Sequence, residues 1–409
     1  MPASRPVLAF VSALIATGAL RAQYAEGFDS QASANVTILA EPDTAVTFVD
    51  YSNMTFGTAT FSIPEAPRRV PGSAASRGVV LQANLTAAVT SAVNILAGST
   101  PIQFSGRYRV SFDAWINVPN PLPTGSTEQL LWGVSVDGVP PIECRHNLAL
   151  GASGVYGWLA GENGYSSEDS VVCDGGLRIA QRGDQQTGNS VYFNDAFNQP
   201  VVGGVTNAPA NQWVRVDIDV DAAGVRVYYN GIEFHSVTPA MTPGFAMLGY
   251  EDPFSGLGSN KNAQWGLFDN FRVTTPNGTG ALGTATIQGT ASGAGHILNG
   301  GAPPAIGCPI TLRLRGGPAN GLSVVNLGFP APITIPLPFG ACVIGSEVID
   351  GVGLVFRPTD GLGNGDYTLD LPAATWLEGT AFGFQFFYLD AASPCGISHT
   401  EGIATTIGS

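Results

Sequence analysis

The feature that most restricts the fold of this chain is strict alternation. In "YRVSFDAWINV" (108–118), Tyr108, Val110, Phe112, Ala114, Ile116 and Val118 alternate with Arg109, Ser111, Asp113, Trp115 and Asn117. Successive side chains of a β-strand point to opposite faces, so a period of two marks a strand with one apolar face. The same period recurs in "EQLLWGVSVDG", "WVRVDIDV" and "QWGLFDNFRV" (264–273), and no stretch of ten or more residues carries a convincing helical stripe. The chain holds 53 glycines and 29 prolines, too many for long helices and well suited to short strands joined by turns. The expected fold is all-β, with two packed antiparallel sheets forming a jelly-roll sandwich.

The organisation follows from breaks in this pattern. "VLAFVSALIATGAL" (7–20), preceded by Arg5 and followed by "RAQ", reads as a signal peptide over residues 1–22 with cleavage after Ala22. Its apolar run is shorter than the roughly 20 residues of a spanning helix, so the mature chain is expected to be secreted, without membrane insertion. "TTPNGTGALGT" (274–284) is almost free of large apolar residues. It places a linker at 276–284 between a domain at 24–275 and a second domain at 285–409. After the linker, "PITLRLRGG", "LSVVNLGF", "APITIPLP", "GVGLVFRP", "YTLDLP", "GTAFGFQFFYLD" and "GIATTIG" read as about seven strands, the count of a small immunoglobulin-like β-sandwich.

Charge and cysteine content exclude several function classes. The net charge is -14 and Lys261 is the single lysine, so nucleic acid and anionic membranes, which need basic patches, are not expected partners. The five cysteines of an exported chain can oxidise. A Cys144–Cys173 bridge is expected, with one further pair among Cys308, Cys342 and Cys395. The four histidines lie far apart in sequence and no CxxC pair occurs, which argues against zinc. No serine has a Gly-x-Ser-x-Gly setting, and "DGLGNGDYTLD" (360–370) departs from the EF-hand pattern.

"WVRVDIDVDAAGVRVYYNG" (213–231) followed by "LFDNFRV" resembles the closing strands of concanavalin A-like lectin/glucanase domains and laminin-G-like jelly rolls. Together with "IPEAPRR", "SRGVVLQANLT", "GRYRVSFDAWINV", "GSTEQLLWGVSV" and "LGYEDPFS", the stretch is similar to a group of bacterial exported proteins over residues 24–275. Residues 282–409, with "GISHTEGIATTIG", resemble C-terminal β-sandwich modules of such proteins. The resemblance implies a fold that hosts lectins, hydrolases, lyases and adhesive modules, so function must come from the site.

Retaining glucanases of this class carry Glu-x-Asp-x-Glu on one strand; this chain reads Asp217-x-Asp219-x-Asp221. Positions four apart on a strand are about 13 Å apart, while the two catalytic carboxyls must approach to about 5 Å or about 6.5–9.5 Å. Shorter Asp side chains close that distance less readily. A hairpin through "DAAG" (221–224) explains the row otherwise. It pairs Val220 with Val225, Ile218 with Val227 and Val216 with Tyr229 on a core face. Asp219 then lies opposite Arg226, Asp217 opposite Tyr228 and Arg215 opposite Asn230 on a wet face.

Two further groups are candidate sites. On strict alternation Asp269 shares a face with Trp265, Leu267, Phe271 and Val273, a costly place for a carboxylate. Jelly-roll modules often hold a structural Ca²⁺ between their first and last strands, which here implicates Asp269 with Asp29 or Glu26. A bulge that turns Asp269 to water, or backbone hydrogen bonds to it, is the other explanation. For sugar contact, an exposed Trp115 flanked by Asp113 and Asn117 supplies a ring face with polar edges. Tyr156, Trp158 and Tyr165, near Glu162, Asn163 and Asp169, form a second platform. The sequence therefore points to a non-catalytic glycan-binding or surface-interaction protein. A polysaccharide-cleaving enzyme and a purely structural extracellular protein are the alternatives.

Overall fold

A computed structural model describes residues 23–408 apart from 57–60, 68–69, 71, 119–128, 139–143, 146–147, 150–152, 162–168, 184–189, 198–207, 259, 276–283, 300–301, 337–342, 360, 362 and 372–373. The chain divides into two compact units, Ala22–Thr274 and Thr275–Ser409.

Among the described residues the first unit is a sandwich of two eight-stranded antiparallel sheets. Through the middle of the first sheet run Gly224–Tyr229, Trp213–Asp221, Tyr108–Asn117, Trp265–Thr274 and Arg77–Gln82, hydrogen-bonded in that order. Leu177–Arg182, Ser170–Asp174, Val155–Ala160, Gln129–Val136, Gly244–Asp252 and Ser91–Ala97 are successive strands of the second. The alternation read in the sequence fixes what lies between them. Val110, Phe112, Ala114, Ile116, Val216, Ile218 and Val220 from the first sheet join Leu130, Trp132, Val134, Leu248 and Tyr250 from the second in one buried core. The "DAAG" hairpin forms as expected, with Val216 opposite Tyr229, Ile218 opposite Val227 and Asp219 opposite Arg226. Gly224 closes it at a φ of +134°, where a Cβ would lie 2.0 Å from the Val237 carbonyl oxygen, so only glycine fits.

One polar chain crosses this core. Trp132 Nε1 donates to the Tyr229 hydroxyl at 2.9 Å, Tyr229 bonds to Ser170, and Ser170 Oγ lies 2.9 Å from His235 Nε2. Trp132 and Ser170 belong to the second sheet, Tyr229 and His235 to the first. Burial, with Arg182 nearby, pushes the His235 pKa down to about 3, so the imidazole is neutral.

The second unit contains a five-stranded and a three-stranded antiparallel sheet among the described residues. "LSVVNLGF" and "APITIPLP" are not two strands but one bulged strand, Leu322–Pro336, paired along Val343–Pro358. Phe382, Phe384, Phe386 and Tyr388 pack in its core with Leu312, Leu314 and Ile403.

The cysteines differ from expectation. Cys173 is a buried free thiol, so the Cys144–Cys173 bridge does not form. Cys173 lies opposite Tyr156 in the second sheet and packs with Trp158, Val171 and Met247. That setting excludes water and pushes its pKa up to about 12. The side chain of Cys144 lies outside the described residues. Cys308 is also buried and outside any disulfide, Cys395 is disulfide-bonded, and Cys342 lies outside the described residues.

Candidate functional site

The outer face of the first sheet gathers most of the residues singled out in the sequence. Pairing registers align its side chains in rows. Arg226, Asp219 and Arg109 form one row, and Tyr228, Asp217, Ser111 and Arg272 the next. Arg215, Asp113 and Asp269 follow, then Trp213, Trp115, Leu267 and Val80. Sequence reasoning treats this face as wet. The structure corrects that: Arg109, Arg215, Asp113, Asp217, Asp219, Asp269 and Trp115 are all buried.

Burial is tolerable because the acids have donors. Arg109 Nε and Nη2 form a forked pair with Asp219 at 2.6 and 3.0 Å, the bidentate geometry that makes Arg–carboxylate bonds strong. The partner of Asp219 thus comes from the strand on its other side. Arg226, its expected partner, bonds Asp221 instead at 2.6 Å. Ser111 Oγ donates to Asp217 at 2.6 Å.

Asp269 is placed by a bulge. The register shifts between Asp269 and Arg272, and Asn270 takes a φ of +59°. One extra residue reverses the alternation. Asp269 therefore stays outside with Trp265 and Leu267, while Phe268, Phe271 and Val273 enter the core. Strict alternation misplaces Phe271 and Val273 for this reason. The bulge does not deliver Asp269 to water, since it is only 4 % exposed. It lies directly opposite Asp113, which is 0 % exposed. Burial and the neighbouring Asp113 carboxylate push the Asp269 pKa up to about 8. Asn270 Nδ2 donates to Asp113 Oδ2 at 2.9 Å.

The cover is the connection between Ala45–Asp50 and Arg77–Gln82, which acts as a strap. Its Tyr51 hydroxyl donates to Asp269 Oδ2 at 2.9 Å and accepts the Ala66 amide at 3.0 Å. The Val70 amide donates to Asn270 Oδ1 at 2.8 Å, and Trp213 Nε1 donates to the Pro64 carbonyl at 2.8 Å. Tyr51, Ile63 and Ala66 pack on Trp115, Trp213, Trp265 and Leu267. Tyr51 reaches the sheet over Gly78, where a Cβ would meet Leu267 at 2.8 Å and the Tyr51 ring at 3.3 Å.

Trp115 is therefore no exposed platform. It is 2 % exposed and meets Trp213 edge to face at 5.8 Å between centroids. Asn117 is also buried and donates to the Ala263 carbonyl. The second platform divides likewise. Tyr156 and Trp158 lie on the outer face of the other sheet with Leu131, Val171, Cys173 and Met247, and Trp158 is 1 % exposed. The Arg178 guanidinium stands 5.9 Å from its ring centroid. Tyr165, Glu162 and Asn163 lie outside the described residues, and Asp169 is buried. The two platforms thus occupy opposite sides of the sandwich.

The residues suggested for calcium accept hydrogen bonds from within the fold. Glu26 accepts the Phe28 amide on Oε1 and the Asn35 amide on Oε2, both at 2.7 Å. Asp29 accepts the Ala74 amide at 2.7 Å. Among the described residues no group of three or more His, Cys, Asp or Glu side chains is arranged to hold a metal ion.

Sequence reasoning missed the strap, the opposed Asp113 and Asp269, and the Ser170–His235 link. A trace of the bulge was present: Phe268 and Phe271 are an odd number apart, which a regular strand cannot place on one face.

No family model matches the chain, and no curated protein matches it. Among solved structures it is similar to the alginate lyase AlgAT5 of Polysaccharide Lyase family 7, at 12% identity over 58% of this chain and 92% of the other, with a TM-score of 0.31. A glycosyl hydrolase family protein from Mycobacterium fortuitum is similar at 14% identity, over 62% and 99%, with a TM-score of 0.30. Lectin II from Ulex europaeus is similar at 10% identity, over 58% and 97%, with a TM-score of 0.29. At such identities and TM-scores these likenesses say nothing of the chemistry of this chain.

Proposed function

We propose that this chain is an exported, non-catalytic β-sandwich protein that engages a glycan or another extracellular surface. One observation carries the non-catalytic reading. The acids of the first sheet's outer face are engaged within the fold: Asp219 by Arg109, Asp217 by Ser111, Asp113 by Asn270 and Asp269 by Tyr51. Acid–base cleavage of a glycosidic bond needs two carboxyls that flank a substrate, whereas these are buried beneath or beside a strap. The glycan part of the reading rests on the sequence resemblance to lectin-bearing and adhesive jelly rolls and on an acidic, lysine-poor composition.

A glycan array read beside a reducing-end assay on plant and algal polysaccharides tests this. Binding without release of reducing ends is the expected result. Release that disappears in Asp217→Asn or Asp219→Asn would overturn it, and an array without any bound glycan would remove the glycan partner.

A further inference from the structure

The five-stranded sheet of the second unit departs from the usual division of an antiparallel sheet into one apolar and one polar face. Val325, Leu327, Phe384, Phe386 and Tyr388 point inward to its core. The alternate residues of the same strands point outward, and many of these are apolar too. The strands Ala381–Leu389, Leu322–Pro336 and Val343–Pro358 lie side by side in that order. Across them Phe387 pairs with Val324, and Val324 with Phe356. Leu389, Leu322 and Leu354 each stand two residues along the strand from one of these, so all six share the outer face. On the next strand, Ile397–Thr406, His399 lies opposite Phe387, with ring centroids 6.0 Å apart.

The chain covers one end of this face itself. The register of the long hairpin shifts twice, between Leu327 and Phe329 and between Pro330 and Ile333, and such bulges bend a strand pair. The bent part returns onto the sheet: a Cβ on Gly383 would meet Pro330 Cα and Val348 Cγ2 at 3.1 Å, and Ser346 Oγ donates to Gln385 Oε1 at 3.2 Å. Beyond Gln385 the face is open. Leu354 and Leu389 are each 64 % exposed and Phe356 60 %, while Val324 and Phe387 are half-buried. The open apolar area is roughly 500 Å², a size at which a patch commonly marks an interaction site.

We propose that this face is an interface between two copies of the chain, packed sheet on sheet about a two-fold axis. Charge favours a second copy. The chain carries a net charge of -14, so copies repel over most of their surfaces. The six outward residues bring no charge, and the charged residues next to them in sequence are engaged elsewhere. The Arg357 guanidinium stands 5.4 Å from the Tyr367 ring centroid, and Asp390 accepts the Ser398 hydroxyl at 2.7 Å. Two copies can therefore meet here without setting carboxylates against each other.

Symmetry and area set the kind of dimer. A two-fold contact uses the same patch on both partners, and an uncharged apolar patch is complementary to itself. Sheets packed face to face lie about 10 Å apart, which suits leucine and phenylalanine side chains interleaved between them. Two such patches remove roughly 1,000 Å² from water, at the small end of specific interfaces. The dimer is accordingly one that dissociates on dilution. This inference is independent of the proposed glycan.

Sedimentation velocity of the full chain from about 1 to about 200 μM tests the idea. A shift from monomer to dimer with concentration is expected, strengthened by salt because salt screens the acidic copies from each other. Phe356→Asp and Leu354→Asp should each weaken the dimer about tenfold or more. Leu177→Asp, at a 73 % exposed leucine of the first unit, should leave it unchanged. At about 1 μM, where the wild type is monomeric, Phe356→Asp and Leu354→Asp should keep its melting temperature, since both side chains face water in a single copy. A monomer at every concentration would overturn the proposal, as would a dimer indifferent to Phe356→Asp and Leu354→Asp or lost equally in Leu177→Asp. A dimer weakened by salt would reveal an ionic contact instead, and a melting temperature lowered at about 1 μM would show the face covered within the chain. A monomer whose retention on insoluble cellulose or chitin falls in Phe356→Asp would assign the face to a polysaccharide and likewise overturn it.

Discussion

The two faces of the Tyr108–Asn117 strand are equally dry and chemically opposite. Inward, Val110, Phe112, Ala114 and Ile116 meet the second sheet through apolar contact, crossed by the neutral chain from Trp132 to His235 and by the Tyr108–Ser135 hydroxyl pair. Outward, Arg109, Ser111, Asp113 and Asn117 are just as buried, but they depend on partners. The apolar side is stabilised by removal of area from water, and its loss is graded. The polar side is stabilised only while each charge keeps its partner, and its failure is abrupt. The two polar links also respond oppositely to protons. His235 must stay neutral, and its folded pKa is lowered. Asp269 is neutral in the fold because its pKa is raised.

Breaking the outward side should have the largest effect. Arg109→Ala leaves Asp219 buried and unpaired, and should cost about 3–5 kcal/mol in denaturant unfolding. Replacing both partners together, Arg109→Met with Asp219→Leu, should recover most of that loss, because the penalty belongs to the orphaned charge. Trp115→Ala removes a buried indole from beneath the strap, and should also cost about 3–5 kcal/mol.

Removal of charge should sharpen the contrast. Asp269→Asn is expected to stabilise the chain by a few kcal/mol at pH 8–9, where the wild type retains or loses a strained proton. In the folded chain Asp269 binds its proton up to about pH 8, well above its unfolded range. Its contribution is therefore complete below about pH 4 and is lost as the pH rises toward 8. His235 has the reverse sign. Its contribution is complete above the unfolded imidazole value and is lost as the pH falls toward 3. His235→Gln should cost about 1–3 kcal/mol at neutral pH, through loss of the Ser170–His235 hydrogen bond and imperfect packing. Smallest of all should be Arg226→Ala. Its bond to Asp221 is partly exposed on both sides, and the change should stay within about 1 kcal/mol in thermal melts.

What the sequence disclosed follows the same division. The inward face was readable residue by residue, down to the register of Val216, Ile218 and Val220 in the "DAAG" hairpin, because a period of two and a glycine turn are local signals. The outward face was readable as polar and not as dry. Whether Asp269 meets water depends on a strap distant in sequence, anchored by Tyr51, Pro64 and Val70. No periodicity reports that contact. The bulge at Asn270 has the same character: it depends on a positive φ in one residue, and it alone decides which side Asp269 and Phe271 occupy. The Cys144–Cys173 expectation failed on a similar point, since spacing says nothing of Cys173 turning to Trp158 and Met247.

The most direct measurement is the melting temperature of the full chain between about pH 3 and pH 9.5, for the wild type, His235→Gln and Asp269→Asn. The wild type should lose stability at both ends. The acid loss should flatten only in His235→Gln, and the alkaline loss only in Asp269→Asn. Variants whose pH profiles run parallel to the wild type at both ends would contradict the assignment of opposite proton roles to the two buried links.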